Sequence, residues 1–533
     1  TKTMGRNVYG NVILGTLENA KDLIGTPIDM ITSLATKQRS TTVPNIFTQG
    51  KGMVKGAKET IQDARLGIDT SPTRGQYDLP QGKTFDNKIL NALDKATKVG
   101  LQFGDRPFYQ GFFDDRLNQL MKFKKVSEPT EDMIQQAIEY AKDKTFQNDS
   151  NIEKGFKWIQ QGLNSLTGSK DIGIGSFAIP FTKTPANILD KALDYSPVGF
   201  ARAVNELRKV KGGTFNQKAF VDKISRGITG TALIKFGYDL AGKGLLMGEQ
   251  PKDKDVANMY KQAGKNPYSI KYGDKYYTID WAQPSAVPLM IGADLFHQGK
   301  TSDDVKEVVY NAVKSGGTTL FKQSLLQGMQ RLFGGYTPLQ GVEDVAKSIP
   351  SQFVPSGLKQ VAQALDKTQR ENYSPTNQGD IVNAMRSKTP LSKGMYPKLD
   401  SLGREVENYQ GKNTPFNIML NPSFVTEDKT SKGEKMILDI YDKTGIKTHF
   451  PRVAPKNIKG KSLSEQQFYE LQKEMGTKTN EFIQNLASNP NFNKTTMTEK
   501  EAEYRAKYIE NALSDIFNNA KHKVLPQDFL KKE

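Results

Sequence analysis

The chain contains no cysteine, which excludes disulfide staples, thiol nucleophiles and thiolate metal sites. Histidine is nearly absent as well: His297, His449 and His522 are scattered over 533 residues. A histidine-rich metal centre has no basis in such a sequence. A serine–histidine–carboxylate triad would have to use one of three histidines that have no supporting motif beside them. Hydrocarbon is scarce, with 36% hydrophobic residues and a mean hydropathy of −0.59. No stretch approaches the ~18 uninterrupted apolar residues of a membrane-spanning helix. The nearest, 228–247, carries Lys235, Asp239 and Lys243. There, Lys235 and Asp239 are spaced to pair on one helix face, while Gly244 and Gly248 spell a close-packing motif. The expected structure is a glycine-containing core helix with a charged outer edge. No apolar leader follows the basic start, and Thr1-Lys2-Thr3 suggests a processed product or a piece of a longer polypeptide.

Basic charge is plentiful. Lysine and arginine number 75 against 58 acidic residues, for a net charge of +17 and a pI near 9.4. Such an excess favours polyanionic partners, either nucleic acid or an anionic membrane surface. The 46 glycines and 25 prolines interrupt the chain frequently.

The patterning predicts a mainly α protein of many short and medium helices, with one β-hairpin near 268–281 and an extended irregular segment over 367–460. Four regions follow: an N-terminal helical region (1–150), a central helical core with the hairpin (151–366), the Pro/Gly/Asn-rich segment (367–460) and a C-terminal helical pair (461–533). Residues 1–70 read as short helices cut by glycine and proline. A helix over 85–109 is interrupted by Pro107. Helical spacing continues over 131–141, 152–166, 198–210, 221–241, 303–314, 318–331 and 356–366. Thr184 caps a helix that has Pro185 in its first turn. In the hairpin, period-two alternation flanks a Gly273-Asp274 turn. Met436–Tyr441 is an apolar island in the irregular segment. Ser464 with Gln467, and Thr498 with Glu501, form capping boxes, the first accompanied by Leu463 and Phe468 as a staple.

Motifs that could carry chemistry are incomplete. His297-Gln-Gly-Lys-Thr301 ends like a phosphate-binding loop, but Asp294 stands where the motif needs glycine, so a helix stop is expected. The Gly173-Ile-Gly175 turn lacks the strand–turn–helix context of a dinucleotide site. Paired carboxylates at 114–115, 253/255 and 303–304 fit loops or early helix turns, where the helix dipole favours aspartate. The strongest binding candidate is basic: Arg202, Arg208, Lys209, Lys211, Lys218, Lys223 and Arg226, against Glu206 and Asp222, with Phe215 and Phe220 interleaved. Such a set suits sequence-independent contact with a phosphate backbone. The preferred reading is a solvated helix–loop–helix surface with its aromatics turned to the core, because the charge balance elsewhere is also basic and nothing reads as a recognition helix.

Three ordered segments carry a resemblance. They are Pro180–Asn187 with Tyr195–Gly199; Trp281–Pro288 with Gly292–Asp294; and Tyr373-Ser-Pro375 with Thr389–Lys393 and Pro397–Val406. Together with Gly5–Gly10 and Phe103–Pro107, they resemble the large polyvalent protein-associated domain of giant phage and mobile-element proteins, over roughly residues 1–410. The resemblance implies a non-enzymatic bacteriophage virion protein: an internal, cargo or ejection protein that is delivered with DNA. On that reading the partners are packaged DNA, further copies of the chain, and portal, capsid or tail-lumen proteins; transient membrane contact on delivery would use 221–247, for which a core helix is the preferred expectation, and the composition implies no cofactor. A second expectation is a nucleic-acid-binding scaffold module acting in the host cytoplasm.

Overall fold

The structure, a computed structural model, describes residues 2–66, 88–148, 183–301, 365–408, 421–492 and 497–529, apart from isolated positions. The protein is mainly α, as its patterning predicts. The described helices are α1 (Lys2–Thr36), α2 (Ile46–Leu66), α3 (Lys88–Lys124), α4 (Glu131–Lys144), α5 (Lys183–Asp194), α6 (Val198–Arg208), α7 (Gln217–Gly242), α8 (Lys254–Gln262), α9 (Val287–His297), α10 (Asn377–Arg386), α11 (Lys432–Thr444), α12 (Glu465–Ser488) and α13 (Glu499–Val524). The strands are β1 (Ser269–Tyr272), β2 (Lys275–Thr278), β3 (Val425–Glu427), β4 (Asn457–Ile458) and β5 (Lys461–Ser462). The helices expected over 152–166, 303–314, 318–331 and 356–366, the 173–175 turn and the 303–304 carboxylates lie outside the described residues or reach only isolated ones.

The chain divides into two compact units that do not follow the four expected regions. The first comprises 1–248, 279–345 and 419–423; the second comprises 249–278, 346–418 and 424–533.

In the first unit, the N-terminal region departs from the short helices expected of it. Helix α1 runs 35 residues with Pro27 inside it, and α3 runs 37 residues straight through Pro107. The breakers lie at close helix contacts. A Cβ added to Gly52 of α2 would sit 2.7 Å from the Gln110 carbonyl oxygen of α3, and one on Gly56 would sit 2.9 Å from that of Arg106. Backbones this close gain dispersion contacts along the whole pair. Arg106, beside Pro107, bonds Glu59 at 2.8 Å and Asp63 at 2.6 Å. Together these offset the ~3 kcal/mol or more that an interior proline costs. Residues 114–115 also depart from expectation. They lie within α3, where buried Asp115 accepts from the Asn45 amide, Gln49 and Gln119.

Among the described residues, hydrocarbon in this unit gathers in two modest clusters. One is built on Val198, Ile234, Val287 and Ile291, the other on Phe108, Tyr109 and Phe112. Helix α7 ends at Gly242, and Gly244 (φ +68°) lies in the following turn, so the Gly244/Gly248 motif is not on a helix. His297 closes α9, with Gly299 left-handed at φ +70°, which is the helix stop expected there.

The second unit has a conventional apolar core. Met436, Ile437 and Ile440 of α11 pack with Met259 of α8, Leu402, Phe450, Ile483 of α12 and Ile509 of α13. The 367–460 stretch is largely irregular, yet its apolar island is α11, and that helix shares its core with elements outside the stretch. Both C-terminal capping boxes form, and Leu463 and Phe468 are buried in one cluster. Helices α12 and α13 run antiparallel, with Lys523 bonded to Glu474 and Phe482 beside Tyr508. The hairpin pairs β1 with β2 about Gly273 (φ +62°), and β3 adds a third antiparallel strand.

Candidate functional site

Helix α7 begins with Asn216 capping the Ala219 amide, and it turns Val221, Ser225, Arg226 and Thr229 inward. Arg226 is 4% exposed. Its guanidinium reaches Glu18 of α1 at 3.0 Å, Asp143 of α4 at 2.6 Å and Asp194 of α5 at 3.3 Å. Four helices therefore meet on one arginine.

The contacts continue outward. Glu18 also receives Lys144 at 2.6 Å, with Lys21 and Lys191 at 3.7 Å. Lys21 bridges Asp22 and Asp222, both at 2.5 Å, and Lys191 holds Asp143 at 2.5 Å. Lys218 lies 2.5 Å from Asp222. The result is a balanced set: Glu18, Asp22, Asp143, Asp194 and Asp222 against Lys21, Lys144, Lys191, Lys218 and Arg226. Tyr140 lies among them. Its hydroxyl donates to Asp22 at 3.0 Å, and its ring faces Lys144 at 4.9 Å and Lys218 at 5.1 Å.

The electrostatics follow from this packing. Burial alone would raise the Glu18 carboxyl, but Arg226, then Lys144, Lys191 and Lys21, pull it well below the usual range. Asp222 is likewise held well down against burial by Lys21 and Lys218. Lys21 and Lys144 stay charged because neighbouring carboxylates outweigh their desolvation. Lys218 is the exception. Burial, with Lys21 and Arg116 nearby, pushes it down to about 7 although Asp222 is adjacent.

This arrangement redistributes the predicted basic site. Arg226 is corrected outright: a buried guanidinium bonded to three carboxylates presents nothing to a phosphate. Lys218 is committed to Asp222. Arg202 pairs with Asp190 at 2.9 Å and Asp194 at 2.8 Å. Lys223 lies 3.4 Å from Glu206, and Lys209 lies 2.9 Å from the same carboxylate. Of the seven predicted cations, those left exposed lie around the 3-10 turn Lys209–Gly212: Arg208, which bonds Asn205, then Lys209 and Lys211. Phe215 and Phe220 pack on each other with ring centres 5.8 Å apart. Sequence reasoning missed Glu18, Lys21, Asp22, Asp143, Lys144, Lys191 and Asp194. Their available signal was charge at helical spacing, as at 18/21/22 and 191/194.

A set of paired, buried charges can hold four helices in register. Among the described residues, no group of histidine and carboxylate side chains could hold a metal ion. No protein-family model, curated protein or solved structure matches the chain. Among the described residues, no helix is long and apolar enough to cross a membrane.

Proposed function

We propose that this chain is a non-enzymatic bacteriophage virion protein: an internal, cargo or ejection protein packaged in the particle and associated with DNA delivery. The observation that carries the reading is the inverted helix α1. It buries Glu18, Lys21, Asp22 and Asp29, and it exposes Leu23 (55%), Ile31 (71%) and Leu34 (82%). A helix with charge inside and hydrocarbon outside needs an assembly to cover it, because monomers rarely leave contiguous apolar patches in water. The ordered motifs around 180–187, 281–294 and 389–406 supply the phage context, and the net charge of +17 suits an environment filled with DNA. Mass spectrometry of purified particles tests this: abundant peptides from the chain are expected. Their absence, with the chain recovered from infected-cell cytoplasm on nucleic acid, would transfer the assignment to a host-acting scaffold.

Contact with DNA then falls to the exposed turn. Replacing Arg208, Lys209 and Lys211 together by Gln should flatten the log–log salt dependence of duplex binding by about 2 to 3. The lower figure applies if Lys209 stays with Glu206. Replacing Arg202 and Lys223 should leave the slope unchanged. Anisotropy across a salt series measures both, and an unchanged slope in the triple variant removes this turn from the interface.

A further inference from the structure

The exposed residues of α1 follow a rule. Tyr9, Ile13, Thr16, Ala20, Leu23, Met30 and Leu34, with Pro27 between the last three, advance by alternating steps of four and three, and every one is exposed. That is a 3.5-residue repeat, kept for about four heptads, the length at which such a pattern signals a coiled-coil seam. Val12 and Ile31 widen it at 47% and 71% exposure. From Asn7 to Thr36 no charged residue faces solvent, because all four charges in that stretch are buried. Thr16 and Ala20 are small, so a partner backbone can come close. Pro27 sits in the seam and divides it into a stretch from Tyr9 to Leu23 and a shorter one from Met30 to Leu34.

We infer that this stripe is a homotypic contact: two copies of the chain pair α1 against α1 along the seam. Three observations favour a second copy as the occupant. First, the repeat is self-complementary, as an isologous two-fold interface requires. Second, chains of net charge +17 repel one another, and a stripe without charge is where they meet at least cost. Third, the seven large apolar residues of the band offer about 100 Å² each, which approaches the ~800 Å² per partner of a standard interface. Lipid fits less well. Helices that lie on membranes flank the apolar face with free lysine or arginine, whereas the lysine within this stretch, Lys21, is buried. The inference names a partner for the assembly role proposed above. It rests on that reading only for its setting, since absence from particles would leave the seam intact.

Sedimentation of the full chain is the test. The wild type is expected to self-associate, more tightly as salt rises, because screening relieves repulsion. Binding to DNA or to anionic vesicles would weaken instead. Leu23→Lys with Met30→Lys should reduce self-association about 100-fold while leaving far-UV ellipticity and the thermal transition in place. Should that variant fold poorly, Ala20→Cys decides, because the chain has no other thiol. Oxidation should give a covalent dimer from Ala20→Cys and none from Lys58→Cys on α2. A monomeric wild type, self-association that survives the lysine pair in a folded variant, or no Ala20→Cys dimer would each overturn the proposal. Flotation of the wild type with phosphatidylserine vesicles, lost in the lysine pair, would overturn it in favour of a lipid surface.

Discussion

Glu18→Ala is expected to destabilise the first unit by about 3–5 kcal/mol, the range for removing one member of a buried ion network. The substitution strands Arg226, Lys144, Lys191 and Lys21 around an uncharged site. Against a typical stability of about 5–15 kcal/mol, that is a large fraction. It corresponds to a fall of roughly 4–8 °C in the transition of a unit this size. The fluorescence of the two tryptophans, Trp158 and Trp281, follows the first unit alone, because the second unit's ranges contain no tryptophan. Removing Asp239, whose pair with Lys235 is half exposed, should cost no more than about 0.5 kcal/mol. Equal effects from the two substitutions would show that burial is not what gives the network its weight. A double variant, Glu18→Leu with Arg226→Met, should recover part of the loss, since paired hydrocarbon replaces paired charge.

The same network makes the first unit sensitive to acid. In the folded state burial would raise the carboxyls of Glu18, Asp22, Asp143 and Asp222, but neighbouring cations hold all four below their ordinary range. Unfolded, they return to about 4. Below that value the unfolded chain binds more protons than the folded one, so stability falls with pH. The contribution is complete above about pH 5 and is lost as pH drops through the folded values. Asp114 and Asp115, raised by burial, act in the opposite sense, but they are two against four. The second unit rests on hydrocarbon around Ile437, Phe450 and Ile509 and should survive longer. Acid titration is therefore expected to show far-UV ellipticity falling in two steps, the first coincident with the change in tryptophan fluorescence. One coincident transition for both probes would contradict this. On the alkaline side Lys218 contributes with its own sign. Its folded value near 7 lies below the unfolded one, so the unfolded chain holds the extra proton between about 7 and 10.4 and stability rises with pH there.

Local signals in the sequence were faithful where the physics is local. Ser464 and Thr498 cap their helices through partners three residues away, and Gly273 turns the hairpin between strands that it joins directly. Legibility failed where the deciding partner is distant. Pro107, Gly52 and Gly56 read as interruptions, yet they mark the face on which α2 and α3 approach each other. Arg208 and Arg226 are alike in composition and lie 18 residues apart. What separates them is that Glu18 stands 208 residues from Arg226 and accepts its guanidinium. Met436–Tyr441 looked like an island because its neighbours in space, Met259 and Ile509, come from opposite directions along the chain.

That separation also sets an order of events during synthesis. At about 5–20 residues per second, the ribosome needs roughly 10–40 s after making Glu18 to reach Arg226. Lys21 waits about as long for Asp222, 201 residues later. In that interval Lys144 and Tyr140 can already reach Glu18 and Asp22, but Arg226 and Asp222 are missing and the network stays open. The charge network of α1 is therefore completed only when α7 is made, and the apolar stripe of one chain can meet that of a neighbour on the same message before either core has closed.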